Sequence, residues 1–450
     1  MPDLGSTEAL EECLETVAIC YQAGDLKMMT EACKAGLQSF QDNYELLMFL
    51  GIARGESGEF EEAIEILDKS IERFESNFQA HFNRAVYLVR LGEADEARES
   101  LVRCVQLKPK FGQAWYSLVN SRKVNPGNPI IDRMKRVLKK KLPTKDASLI
   151  NFAIARAYDD IGEYDRSWYH LNMANGLYPI APLDVEQLLK NTSETTFNWT
   201  PQLVESLKSG QTTKAPIFVV GMPRSGTTLM EQILDRHALV EGQGELGMVN
   251  HFVDSFSQLT DTPYPGCVSE MSSEVMSQYA DIYLSHLPQT DEFEYFVDKN
   301  PLNFQHLGLI MSMFPNAKIV NMIRNPMDVI LSCYQQPFAS GQAFSFDLER
   351  CAVFYRYYEV MMTHWRKLFS ESVIDVNYDY LVKHPRVVIS DTLSALGLEP
   401  DEACFQHHEF KGKISTASVL QANQPVYTGA SGKWVNYRKY LAPAKKILRT

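Results

Sequence analysis

The residues with the clearest capacity for chemistry lie in 216-PIFVVGMPRSGTTLMEQIL-234. Gly221-x4-Gly226-Thr227-Thr228 has the spacing of a phosphate-gripping loop, with Thr227 where such loops place a lysine. A short apolar run precedes it and a helix-like pattern follows. Backbone amides and the helix N-terminus therefore form a cradle for an anion. Without the lysine, the point charge that reaches the outer phosphate of a nucleoside triphosphate is missing. Arg224 instead offers a forked guanidinium suited to a phosphate or a sulfate. The spacing predicts an anion loop that does not hold a triphosphate.

Other charged residues fall at the ends of apolar runs. EYFVDKNP and AKIVNMIRNP each end in a charged residue before Asn-Pro, namely Lys299 and Arg324, and SVIDVNYDYL is a fourth run. ALVEGQ, after the first helix pattern, reads as a further short strand and leads to Glu245 in GQGELGMV. As residues alone these stay ambiguous. Lys299 also reads as a surface lysine before a turn, Arg324 as part of a capped turn, and Glu245 as a carboxylate that complements a helix dipole. His251 is an alternative base to Glu245. The aromatic run 354-FYRYYEVMMTHW-365 has helical spacing and reads as core or interface.

The elements that must position these groups fall into two styles. From residue 215 to 450, apolar runs alternate with helical patterns, which predicts an α/β domain with a parallel sheet. Ligands of such sheets sit outside the carboxyl ends of the strands, where these charged residues lie. Before it, residues 1–180 repeat. Gly51, Gly58, Ala63, Leu67, Ile71 and Ala80 recur 34 residues later as Ala85, Gly92, Ala97, Leu101, Val105 and Ala114. That period, with small residues at fixed places, is the tetratricopeptide signature and predicts an α-helical solenoid. Ala155, Gly162, Ala174 and Pro179 keep the pattern in a later copy. The KRVLKKK run near residue 138 reads as a solvated helix face. Residues 181–214, polar and mixed, read as a connector.

Composition excludes several classes. The chain has 450 residues, a net charge of -12, 45% apolar and 22% charged residues, as expected of a globular protein. Residues 1–215 carry 25 basic and 31 acidic side chains and the remainder 19 and 25, so neither part is a basic nucleic-acid module. The eight cysteines show no CxxC pair and no zinc-ligand spacing, and they read as buried thiols. MPDLGSTEALEE lacks the charged start and apolar stretch of a signal peptide, and no apolar run approaches the ~20 residues of a membrane span. The expected location is cytoplasmic.

Taken together, the motifs resemble those of sulfotransferases that use 3′-phosphoadenosine 5′-phosphosulfate (PAPS). They are most similar to the tetratricopeptide-containing members and, through these, to the protein-tyrosine sulfotransferases. PIFVVGMPRSGTTL looks like the 5′-phosphosulfate loop, and 317-AKIVNMIRNPMDVILSCY-334 like the strand and helix that hold the 3′-phosphate. FPNAK, VNYDYLV and the tail TASVLQANQPVYTGASGKWVNYRKYL extend the likeness over nearly the whole chain, with Ala-Asn at 422–423 where related tails read Val-Arg.

The resemblance implies donor contacts from Arg224, Ser225, Gly226, Thr227 and Thr228, with Arg324 and Ser332 on the 3′-phosphate. It adds Tyr378, Ser418 and Lys433 around the nucleotide. It implies Glu245 as base and Lys299 as the cation at the leaving oxygen, with PAP as product and no metal. The acceptor implied is a hydroxyl of a peptide tyrosine, a glycan, a lipid or a small metabolite. The repeats would supply a surface for a protein partner or for self-association. The competing readings are a P-loop nucleotide kinase or NTPase, and a catalytically dead scaffold.

Overall fold

The computed structural model describes residues 7–179, 181–211, 216–260, 262–288, 292–338, 342–409, 429 and 431–449. The described residues form two compact units that divide after Pro179.

The first unit is helical, as the repeat predicts: α1 Thr7–Ala23, α2 Leu26–Ser39, α3 Tyr44–Glu56, α4 Phe60–Arg73, α5 Phe78–Leu91, α6 Ala94–Leu107, α7 Gly112–Asn120, α8 Ile130–Leu138, α9 Thr144–Asp160 and α10 Tyr164–Leu177. Local chemistry repeats with the same period. Asn43 caps α3 by accepting the amides of Glu45 and Leu46, and Asn77, 34 residues on, caps α5 through the Ala80 amide. Gly24, Gly58 and Gly92 turn the chain between paired helices with φ of 71°, 84° and 85°. Ala63, Ala80, Ala97 and Ala114 are fully buried where neighbouring helices meet. In α8, Ile130, Ile131, Met134 and Val137 face inward while Arg136 and Lys139–Lys141 stay exposed, so the basic run is a solvated face.

The second unit begins with two helices, α11 Val185–Asn198 and α12 Pro201–Leu207. The segment expected to be a connector is thus largely helical and belongs to this unit. Trp199 between the two helices is fully buried, its ring edge-on to Trp365 at 6.4 Å. Ser209 donates to the Met313 carbonyl.

The sheet consists of β1 Ile217–Gly221, β2 Val240–Gly242, β3 Tyr295–Asp298, β4 Lys318–Ile323 and β5 Val373–Asn377. Its order is β2-β3-β1-β4-β5 and every pairing is parallel. The intervening helices are α13 Thr227–Asp235, α14 Met248–Leu259, α15 Ser273–Ser285, α16 Leu307–Met313, α17 Pro326–Tyr334 and α18 Leu348–Leu368. After β5 come α19 Tyr378–Leu381, α20 Pro385–Leu396 and α21 Ala442–Leu448.

β1 is buried along its whole length because helices cover both faces. Ile217 and Val219 join Met230 and Leu234 of α13 in one core. Phe218 points the other way, against Tyr283 at 6.0 Å and Phe314 at 6.3 Å. Each such buried side chain contributes about 1.5–3 kcal/mol. The aromatic run of α18 is core: Phe354, Tyr355, Tyr357, Tyr358 and Trp365 are all buried. All eight cysteines are free, and all but Cys13 are buried. Among the described residues no helix is long and apolar enough to cross a membrane.

Candidate active site

With all five strands parallel, their carboxyl ends share one edge, and each is followed by a predicted site residue. The loop after β1 holds Arg224. Glu245 follows β2 by three residues, and Lys299, Arg324 and Tyr378 directly follow β3, β4 and β5.

The register aligns Gly221 with Met322, so the β1 loop leaves the sheet beside the turn that carries Arg324. Arg324 Nη1 donates to the Arg224 carbonyl at 2.8 Å, and Arg224 Nε donates to Ser332 Oγ at 3.0 Å. Cys333 Sγ lies 3.4 Å from the Pro223 carbonyl it donates to. These bonds hold Arg224 at φ 70°, a left-handed conformation costing a non-glycine residue roughly 1–2 kcal/mol. Arg324 and Ser332, the two residues expected on the 3′-phosphate, thus both bond to Arg224, one at its carbonyl and one at its guanidinium.

Ser225 is buried, and its Oγ has no hydrogen-bond partner among the described residues. An orphaned hydroxyl in a loop of amides at a helix start fits a bound anion. Gly226, at φ 104°, admits no side chain, because a Cβ there would lie 2.4 Å from Tyr378 Cδ2. The Tyr378 ring thus lies against the loop, and the Arg324 guanidinium sits 4.5 Å from its centroid. Thr227 and Thr228 open α13 and are buried.

The C-terminal segment reaches the same edge. Asp328, on the first turn of α17, accepts the amides of Gly432 at 2.7 Å and Trp434 at 2.9 Å. Asp379 accepts from Ser431 Oγ at 2.6 Å and from the Asn325 amide at 3.0 Å. Lys433 is therefore pinned beside the turn carrying Arg324. Ser418 lies outside the described residues. Sequence reasoning missed Asp328 and Asp379; the only signal was an aspartate in each of NPMD and NYDY.

On the other side of β1, β3 ends early. Its last pairing sets Asp298 level with Phe218, three residues short of the end of β1. Lys299 thus starts two residues, about 7 Å, below the loop, and it is fully buried. Gln243 donates to the Val297 carbonyl and Lys299 N–H donates to the Gly244 carbonyl, fixing the β2 turn against β3. Glu245 Oε1 then accepts from Lys299 Nζ at 2.6 Å, while the Glu245 side chain remains about half exposed. A solvent-reaching carboxylate backed by a buried ammonium can take a proton and stabilise developing negative charge. His251 is exposed on the first turn of α14.

A second carboxylate was not anticipated. Glu231, one turn beyond Thr227 on α13, has Oε2 at 3.7 Å from Lys299 Nζ and is only 9% exposed. Burial pushes its carboxyl up to about 7, against the opposing pull of Lys299 and the Gly244 amide. In sequence it reads as an ordinary helix glutamate.

Asp298, the residue before Lys299, is engaged elsewhere. Successive strand residues point to opposite faces. Asp298 Oδ2 instead accepts from Tyr283 Oη at 3.0 Å and Asn303 Nδ2 at 3.3 Å. Burial pushes its pKa up to about 7, partly offset by those donors. The folded chain therefore keeps this proton between about pH 4 and 7, where the unfolded chain has lost it, and the contribution to stability falls as pH rises through that window. Asp298→Asn retains an oxygen for Tyr283 and Asn303 and removes the titration. Its stability relative to the parent is expected to rise by up to about 4 kcal/mol between pH 4 and 8 in urea titrations. A pH-independent difference would contradict this assignment.

Residues 216–402 match the sulfotransferase family, and residues 78–111 match the tetratricopeptide repeat. An uncharacterized protein of Aquifex aeolicus is 31% identical over 407 residues, which is 86% of this chain and 52% of that one. A protein-tyrosine sulfotransferase of Drosophila melanogaster is 26% identical over 238 residues, 49% of this chain and 46% of that one. The chain thus spans about half the length of these two relatives. Among solved structures, the sulfotransferase domain of the Synechococcus PCC 7002 olefin synthase is 19% identical, with a TM-score of 0.39, covering 54% of this chain and 97% of that one.

Proposed function

From the match of residues 216–402 to the sulfotransferase family, we propose that this chain transfers a sulfuryl group from PAPS to a hydroxyl acceptor. The observation that carries this reading is the division of the strand ends into two clusters. One clamps an anion loop with Arg224 and Arg324, and the other pairs an exposed Glu245 with a buried Lys299.

In this reading the α13 amides, Ser225, Thr227 and Thr228 receive the 5′-phosphosulfate. Arg324, with Tyr378 beneath it and Lys433 beside it, receives the 3′-phosphate end. Glu245 takes the proton of the acceptor hydroxyl as its oxygen bonds to sulfur. The bond from sulfur to the bridging oxygen breaks, and the electron pair stays on that oxygen, where Lys299 and the loop dipoles stabilise it. PAP leaves. The chain's overall negative charge repels such a donor, so these local cations must supply the attraction.

Relatives named protein-tyrosine sulfotransferase place peptide tyrosine first among the acceptors to assay. Glycan, lipid and small-metabolite hydroxyls follow. The repeats of the first unit are the natural surface for a protein partner. The test is to supply ³⁵S-labelled PAPS with each acceptor class. The expected result is labelled acceptor and PAP in equal amounts. Absence of PAP release with every acceptor, alongside turnover of ATP with Mg²⁺, would overturn the reading.

A further inference from the structure

Lys299 is fully buried and sits between two carboxylates from different elements, Glu245 at 2.6 Å and Glu231 at 3.7 Å. The two differ in access: Glu245 is about half exposed, whereas the Glu231 side chain is 12% exposed. A base becomes neutral once it accepts a proton. At that moment Lys299 loses its near counter-charge, and a buried ammonium left without one is strongly destabilised. Lys299 would then lack a partner as negative charge builds on the leaving oxygen.

We propose that Glu231 is a positioning residue that keeps Lys299 charged and aimed at the leaving oxygen after Glu245 has taken the acceptor proton. The inference rests on the roles given above to Glu245 and Lys299. Its geometry is specific. Glu231 lies four residues after Thr227 on one face of α13, so one short helix carries both the end of the anion loop and the second counter-charge of Lys299. The Gly244 backbone ties the pieces together, its amide meeting Glu231 and its carbonyl accepting Lys299 N–H.

The groups facing Glu231 are few. Lys299 and Asp298 approach from the end of β3, Glu245 and the Gly244 amide from the β2 turn, and Asp235 from its own helix. β1 presents apolar side chains to α13. The 402–409 segment contributes Cys404 to the same core, and its Glu402 pairs outward with Arg386.

The experiment has two arms. In the first, the Lys299 side chain is titrated by NMR with labelled lysine in Glu245→Gln, which mimics the protonated base, and in the double variant with Glu231→Gln. The Lys299 titration is expected to differ between the two, moving to lower pH in the double variant, where neither counter-charge remains. In the second arm, Glu231→Gln alone is expected to lower kcat about tenfold, with the KM of donor and acceptor within about twofold. In the parent, kcat is expected to rise through about pH 7 as Glu231 ionises, and in Glu231→Gln this rise is expected to be absent. Identical Lys299 titration in the single and double variants overturns the proposal, as does parental kcat and pH profile in Glu231→Gln. The titration arm needs no turnover. A chain that passes it but transfers nothing from PAPS retires the functional reading and leaves the Glu231–Lys299 coupling standing.

Discussion

Glu245→Gln is expected to lower kcat by roughly 10²–10⁴-fold, the usual contribution of a positioned general base. The substitution is nearly isosteric and keeps an oxygen for Lys299 Nζ, so the ion pair becomes a hydrogen bond and the β2 turn stays in place. PAP affinity is expected to remain within about threefold, because the donor cradle lies at the ends of β1 and β4 rather than β2. Steady-state kinetics with a sulfated product, together with calorimetry of PAP, separate the two effects. An unchanged kcat removes Glu245 as the base. A larger fall in His251→Ala transfers the role to His251, which lies one turn into α14.

Arg324→Ala is expected to weaken PAP by roughly 30–150-fold, from the loss of charge-assisted hydrogen bonds worth about 2–3 kcal/mol. Part of this loss is indirect. Arg324 also donates to the Arg224 carbonyl and stacks on Tyr378, so the loop loses a brace as well as a ligand contact. Arg324→Lys is expected to recover little, since an ammonium has neither the fork nor the flat face. The difference from the parent is expected to shrink with ionic strength, because screening weakens the attraction of the Arg324 charge that only the parent retains. PAP affinity equal to the parent in Arg324→Ala would remove this residue from the donor site.

Much of this arrangement is legible in the residues. The 34-residue period, the four strand runs and the Thr227 loop each depend on local pattern, and local pattern survives folding. The features that escaped are tertiary. Glu231 has the spacing of any amphipathic-helix glutamate. Only the parallel pairing of β2, β3 and β1, with β3 ending early, brings Lys299 beneath α13. Ser332 appears eight residues after Arg324, yet the clamp across strands gives it to Arg224. QLLKNTSETTFNWTP looks like a connector because its one large apolar anchor, Trp199, shows its value only when packed on Trp365. Asp328 and Asp379 gain their meaning from a tail more than fifty residues away.

The central claim is that the loop after β1 and the turn after β4 form a site for the donor PAPS. The most direct measurement is thermal or chemical unfolding of the parent chain with PAP and, separately, with ATP and Mg²⁺. At 100 times its dissociation constant, PAP is expected to add about 2.7 kcal/mol of stability, with no comparable gain from ATP and Mg²⁺. Stabilisation by ATP and Mg²⁺ without any by PAP would contradict the account and favour a nucleotide kinase or NTPase.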